Sequence, residues 1–150
     1  MHYLHTMVRI HNLELSLDFY CNKLGLIEYH RYDSPAGKFT NIFLHAPGDK
    51  GAPTTKSPAL ELTYNWPDEN GATEEYTAGR NFGHLAYRVD NIYDTCQKLQ
   101  DAGVTINRPP RDGQMAFIKS PDDISIELLQ AGEPLPEQEP WASLPNTGSW

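Results

Sequence analysis

Polar and apolar residues alternate through the stretch HTMVRI, which reads as a strand carrying His5, Met7 and Arg9 on one side. The period then lengthens to about 3.6 residues, with Leu13, Leu17, Tyr20 and Leu24 marking the buried side of a helix. Asn12 stands where it can cap that helix, and Gly25 where the helix should stop. The same order returns from His84: HLAYRV alternates, Asn91 precedes a helical set of Ile92, Cys96, Leu99 and Ala102, and Gly103 follows. His5, Arg9 and Asn12 correspond to His84, Arg88 and Asn91, with a one-residue slip inside the helical part. Strand patterns follow each helix, at 38–45 and 59–64 in the first half and at 103–108, 114–119 and 124–129 in the second. The predicted unit is a strand, a helix and three further strands, occurring twice, at about 1–65 and 80–130 within one domain of residues 1–130. Residues 66–79 join the halves. The proline-rich segment 131–150 shows no period and is expected to wrap the surface or be mobile, with Trp141 and Trp150 as docking anchors.

A chain of 150 residues can bury roughly 68–70% of its unfolded surface, enough for one substantial core. Twelve Lys and Arg against twenty Asp and Glu give a formal charge of −8, which disfavours a broad nucleic-acid surface. A small anionic ligand remains compatible, because Arg9, Arg80 and Arg88 can make a local positive pocket. No apolar run approaches the roughly 18 residues of a membrane helix, so no membrane role is expected. The opening MHYLHTMVRI lacks the pattern of a signal peptide, and two cysteines form no disulfide framework, so a reducing cytoplasm is expected. Cys21 and Cys96 fall inside the helices and read as buried thiols, and no GxGxxG or GxxxxGK[ST] sequence points to a nucleotide.

Glu61 lies within LEL and Glu127 within IEL, where a carboxylate is costly to desolvate without a partner. Each repeat therefore supplies one histidine and one such glutamate. Together they suit a divalent cation, with water positions left over if the geometry is octahedral. Ordinary hydrogen-bonded strand residues, or unrelated polar uses, fit the same spacing. His2, His11, His30 and His45 have no repeated carboxylate relation and read as surface or core-edge residues.

LHTMVRI with LSLDFYCNKLGL, ALELTYNW, FGHLAYRVDN and FIKSPDDISIELL resemble, in order and over residues 3–130, the motifs of the glyoxalase I (lactoylglutathione lyase) family of the vicinal oxygen chelate superfamily. The resemblance is to the bacterial form with histidine at the first ligand position. It implies an α+β fold whose duplicated βαβββ modules form an open mixed-sheet barrel. It implies His5, Glu61, His84 and Glu127 as ligands of one divalent metal, nickel or cobalt favoured and zinc possible, in a homodimer with shared active sites. The reaction so implied isomerises the glutathione–methylglyoxal hemithioacetal to S-lactoylglutathione, with Glu127 as the favoured base and Glu61 its symmetry-related partner.

Arg9, Asn65 and Arg80 match positions the family uses around glutathione, while Arg88 repeats Arg9 and also suits an ion pair. NRPPRDGQMAFI is shorter than the family's closing loop, and Asp123 stands where its turn usually has glycine. Arg108 or Arg111 can replace a missing lysine charge or serve as turn residues; Trp66 can pack beside ligand or in the core. A dioxygenase or thiol transferase of the same fold, and a noncatalytic small-ligand-binding module, are the competing functional readings. The fourth candidate ligand and ELTYNW favour the lyase over the first of these.

Overall fold

The computed structural model describes residues 2–49, 58–77, 79 and 81–150. It divides into two compact units, Met1–Thr77 and Ala78–Trp150. The first contains β1 (His5–Ile10), α1 (Leu13–Leu17) running on into a π-helical turn over Asp18–Lys23, β2 (Ile27–Ser34), β3 (Phe39–His45) and β4 (Ala59–Asn65). The second contains β5 (Leu85–Val89), α2 (Ile92–Asp101), β6 (Ile106–Arg108), β7 (Met115–Lys119) and β8 (Ser125–Gln130). The expected order of elements is present twice. The sequence pattern gives no strand signal for β2, because IEYHRYDS is a largely exposed edge strand without a continuous apolar face.

Each unit folds as one four-stranded mixed sheet, ordered β1-β4-β3-β2 and β5-β8-β7-β6. The first strand runs parallel to the last and the remaining pairs are antiparallel. The expected barrel is not formed. Neither sheet, among the described residues, closes on itself, so β1 and β2 remain edges in one and β5 and β6 in the other. The physical reason is strand number, since about eight strands are needed to enclose an interior that side chains can fill.

Both helices start as their asparagines dictate. Asn12 Oδ1 accepts from Leu15 N at 3.0 Å, and Asn91 Oδ1 accepts from Tyr93 N and Asp94 N. Both stop at a left-handed glycine, Gly25 at φ +87° and Gly103 at φ +82°. The slip between the repeats is absorbed in the π turn, where Leu24 N donates to Phe19 O, five residues back. That wider turn rotates the helix face. Ser16, Phe19 and Tyr20 are therefore buried, while the expected Leu13, Leu17 and Leu24 are only half-buried. In α2, Ile92, Cys96 and Leu99 are buried as expected, but Ala102 is exposed at the helix end.

One face of each sheet belongs to the core. Val8, Ile10, Ile42, Leu44, Leu60 and Leu62 fill it in the first unit, and Ala116, Ile118, Ile126 and Leu128 in the second. Alternation along the strands then sends His5, Met7, Arg9, Glu61 and Thr63 to the other face of the first sheet, and Met115, Phe117, Glu127 and Leu129 to the other face of the second. Segment 131–150 wraps the second unit. Leu135 N donates to Gly113 O, Tyr93 OH donates to Pro136 O at 2.9 Å, Trp141 is buried, and Asn107 and Thr147 exchange two hydrogen bonds.

Candidate metal centre

Each open sheet face brings one imidazole against one carboxylate. His5 Nε2 lies 2.8 Å from Glu61 Oε2, and His84 Nε2 lies 3.2 Å from Glu127 Oε2. The environments match as well: the histidine side chains keep 41% and 43% of their surface open, the glutamates only 10% and 15%. A phenylalanine stands directly opposite each glutamate in the ladder, Phe43 against Glu61 and Phe117 against Glu127. Its ring meets the imidazole edge-on, with centroids 5.9 Å apart for His5–Phe43 and 5.4 Å for His84–Phe117.

The donor atoms fit a divalent cation. Two ligand atoms each about 2.1 Å from one ion and at right angles stand about 3.0 Å apart, close to both observed separations. Imidazole and carboxylate suit nickel, cobalt and zinc alike. Each unit supplies one such pair, and among the described residues no group of three or more His, Cys, Asp or Glu side chains is placed to hold a metal ion.

The two halves differ around the carboxylate. The Asn41 amide donates to Glu61 Oε1, and Thr63 Oγ1 donates to Asn41 Oδ1 at 3.0 Å, fixing that amide. Asn41 Nδ2 also donates to Tyr32 OH at 3.1 Å. Nearby, burial pushes the Tyr29 phenol up, and the Glu61 charge pushes it the same way. Local sequence pattern does not single out Asn41, Tyr32, Phe43 or Phe117. The available signal was a phenylalanine at the centre of each third strand, NIFLH and MAFIK, whose meaning emerges only when the ladder register is known.

Arg9 and Asn65 lie on the open face of the first sheet with His5 and Glu61. Arg9 is exposed and, among the described residues, forms no ion pair; Asn65 Nδ2 donates to Glu74 Oε2 at 2.8 Å. Arg80 lies outside the described residues. Arg88 is exposed on β5. Arg108 binds the Met115 carbonyl and Asp112, and Arg111 donates to Leu144 O and Asn146 Oδ1, so both secure their own loop and the following segment. Asp123 takes the left-handed conformation at φ +63° and pairs with Lys119, which accounts for its place in the turn. The Trp66 indole donates to Thr40, on the core side of β3.

The profile of the Glyoxalase/Bleomycin resistance protein/Dioxygenase superfamily matches residues 2–128. Lactoylglutathione lyase of Neisseria meningitidis is 42% identical over 135 residues, covering 87% of this chain and 91% of that one. The chain belongs to the glyoxalase I family. Another member, the probable lactoylglutathione lyase of Synechocystis, is 38% identical over 87% of this chain and 95% of its own. In structure, the trypanothione-dependent glyoxalase I of Leishmania major superposes with a TM-score of 0.72 at 32% identity, covering 87% of this chain and 86% of that one. Membership in the glyoxalase I family makes the chain an enzyme of the carbon–sulfur lyase class.

Proposed function

We propose that this lactoylglutathione lyase isomerises the hemithioacetal of glutathione and methylglyoxal to S-lactoylglutathione, at a centre of His5, Glu61, His84 and Glu127. The observation that carries the reading is the recurrence of one imidazole–carboxylate pair at equivalent register positions on two sheets. One pair is half of a four-ligand set, and the two pairs together would hold a divalent cation that could also take adjacent substrate oxygens. We assign the completed set to a homodimer with shared sites and the metal to nickel or cobalt, with zinc possible. Free thiols and the lack, among the described residues, of a helix long and apolar enough to cross a membrane suit a cytoplasmic setting.

Bound there, a divalent cation supplies stabilisation for the negative charge that develops on adjacent oxygens when the carbon between sulfur and carbonyl loses its proton. Glu127 takes that proton from C1 and returns it to C2. Glu61, held at one oxygen by Asn41, keeps its place during the transfer. Arg9 receives the glutathione carboxylate, Asn65 exchanges hydrogen bonds with its peptide groups, and Arg80 supplies a second cation.

The test is removal of bound metal followed by titration with nickel, cobalt and zinc, while hemithioacetal conversion is followed. Metal-restored isomerisation, lost in folded Glu127→Gln and His84→Ala variants, is the expected result. Glutathione binding without turnover in every metal form overturns the lyase reading. Sedimentation is expected to give a dimer, and a fully active monomer overturns the shared site.

A further inference from the structure

Segment 66–77, which follows β4, is tied back to the first sheet at two points. Glu74 Oε2 accepts from Asn65 Nδ2 at 2.8 Å. Tyr76 N donates to His11 Nε2 at 3.3 Å, and the two rings lie 4.2 Å apart between centroids. Before Glu74, the Asp68 carboxylate accepts from Asn70 N and Ala72 N, which closes a turn over 68–72. Glu74 therefore stands between two anchored stretches of backbone, and it is exposed.

This contact puts a carboxylate beside the amide assigned above to glutathione. It uses one hydrogen of the Asn65 amide and leaves the second, with Oδ1, for a peptide group of the ligand. Arg9 lies opposite Thr63 in the β1–β4 ladder, and Thr63 is two residues before Asn65 on the same face, about 7 Å along the strand. Opposite charges are thus brought to the neighbourhood of one amide, and among the described residues neither Arg9 nor Glu74 forms an ion pair.

The chemistry of the ligand follows from that arrangement. A carboxylate alone is attracted by Arg9 and repelled by Glu74. An α-amino acid end carries an ammonium and a carboxylate on one carbon, and it satisfies both charges at once. The γ-glutamyl residue of glutathione has such an end, whereas its glycine end has only a carboxylate.

We propose that Glu74 is a specificity-determining residue that receives the α-ammonium group of the thiol's γ-glutamyl residue, so that Arg9, Asn65 and Glu74 together select a zwitterionic amino-acid end. This inference rests on the lyase reading above. An exposed charge contact corresponds to about two- to fivefold in affinity.

The experiment compares kcat/KM of the metal-loaded full chain for the methylglyoxal hemithioacetals of glutathione and of its des-amino analogue, glutaryl-cysteinylglycine. Wild type is expected to favour glutathione about two- to fivefold, through KM with kcat held. Glu74→Gln should bring that ratio to about one. Glu75→Gln, which makes the same change in net charge at the next residue, should leave it at the wild-type value. An unchanged ratio in Glu74→Gln overturns the proposal, and an equal loss in Glu75→Gln does so by reducing the effect to the general field. Tighter glutathione binding in Glu74→Gln also overturns it, because Glu74 is then a competitor for Asn65. A second readout needs no turnover: titration calorimetry with S-methylglutathione and its des-amino counterpart should show the same preference in wild type and none in Glu74→Gln. Failure of wild type to convert either hemithioacetal sinks the lyase reading, while the calorimetric preference still decides the ammonium contact. Absence of that preference in wild type overturns the proposal.

Discussion

The Asn41 amide donates to Glu61, whereas the register position that holds Asn41 in the first sheet holds Met115 in the second. Methionine has no donor for Glu127. Two glutamates that the repeat makes equivalent are therefore unequally restrained. Glu61 is held at one oxygen by an amide that Thr63 orients, and at the other by His5. Glu127 faces His84, with Phe117, Met115 and Leu129 on the same face offering it no amide and Arg88 standing opposite Leu129. The difference supports a division of labour in which the carboxylate with fewer partners moves the proton.

Glu127→Gln is accordingly expected to lower kcat by about 10²- to 10⁴-fold, the range for loss of a general base, in a protein that still folds. Glu61→Gln should act chiefly by weakening metal retention, and added metal should recover part of its activity. Steady-state kinetics with metal content measured in parallel separates the two. The reverse ranking would transfer the base role to Glu61.

Asn41→Leu removes the amide while roughly keeping its volume. One oxygen of a buried carboxylate then lacks its donor, at a cost of about 1–3 kcal/mol in stability. Loss of an orienting partner should also weaken metal affinity by about ten- to a hundredfold. Chelator competition measures the second effect and urea denaturation the first. Affinity equal to wild type would show that Asn41 does not position Glu61 for the metal.

Much of this organisation was legible in single residues. Asn12 and Asn91 cap helices, Gly25 and Gly103 end them, and alternation placed His5 and Arg9 on one strand face, because each of these is decided within a few residues of chain. Asn41 was not legible, since its importance depends on an antiparallel register that sets it two residues from Phe43, opposite Thr63. The π turn was visible only as a slip in the repeat, and its effect on which side chains are buried required the helix geometry. Whether the sheet closes is not legible in the sequence, because hydrogen-bonding between distant edge strands leaves no local trace in composition or period. Trp150 looked like an anchor, but the ring it meets lies more than thirty residues earlier.

The wrapping segment makes Gly113 a sensitive position. Its φ is +63°, and a Cβ there would run into the Leu135 carbonyl, whose residue is also bonded through its N–H to Gly113 O. Gly132 has φ +77° but open space around it. Gly132→Ala should therefore cost about 1–2 kcal/mol, the left-handed strain alone. Gly113→Ala should cost distinctly more than that and expose residues 131–150 to proteolysis. Similar denaturation midpoints for the two variants would mean that the segment contributes little to stability.

Cys96 provides a test of the second core that is independent of the site. Its side chain is fully buried on α2, and burial pushes the thiol up from its ordinary 9.0 to about 12. The unfolded chain therefore releases this proton first as pH rises. Above the unfolded value the unfolded state binds fewer protons than the folded state, so stability must fall with pH until the folded thiol also ionises. One such group contributes a slope of about −1.4 kcal/mol per pH unit between about pH 9 and 12. Cys96→Ala should lose that component of the slope while losing some packing energy at every pH. Urea midpoints of both proteins at pH 8 and pH 10 measure it, and parallel pH dependences would mean that Cys96 is solvated well before the rest of the second unit unfolds.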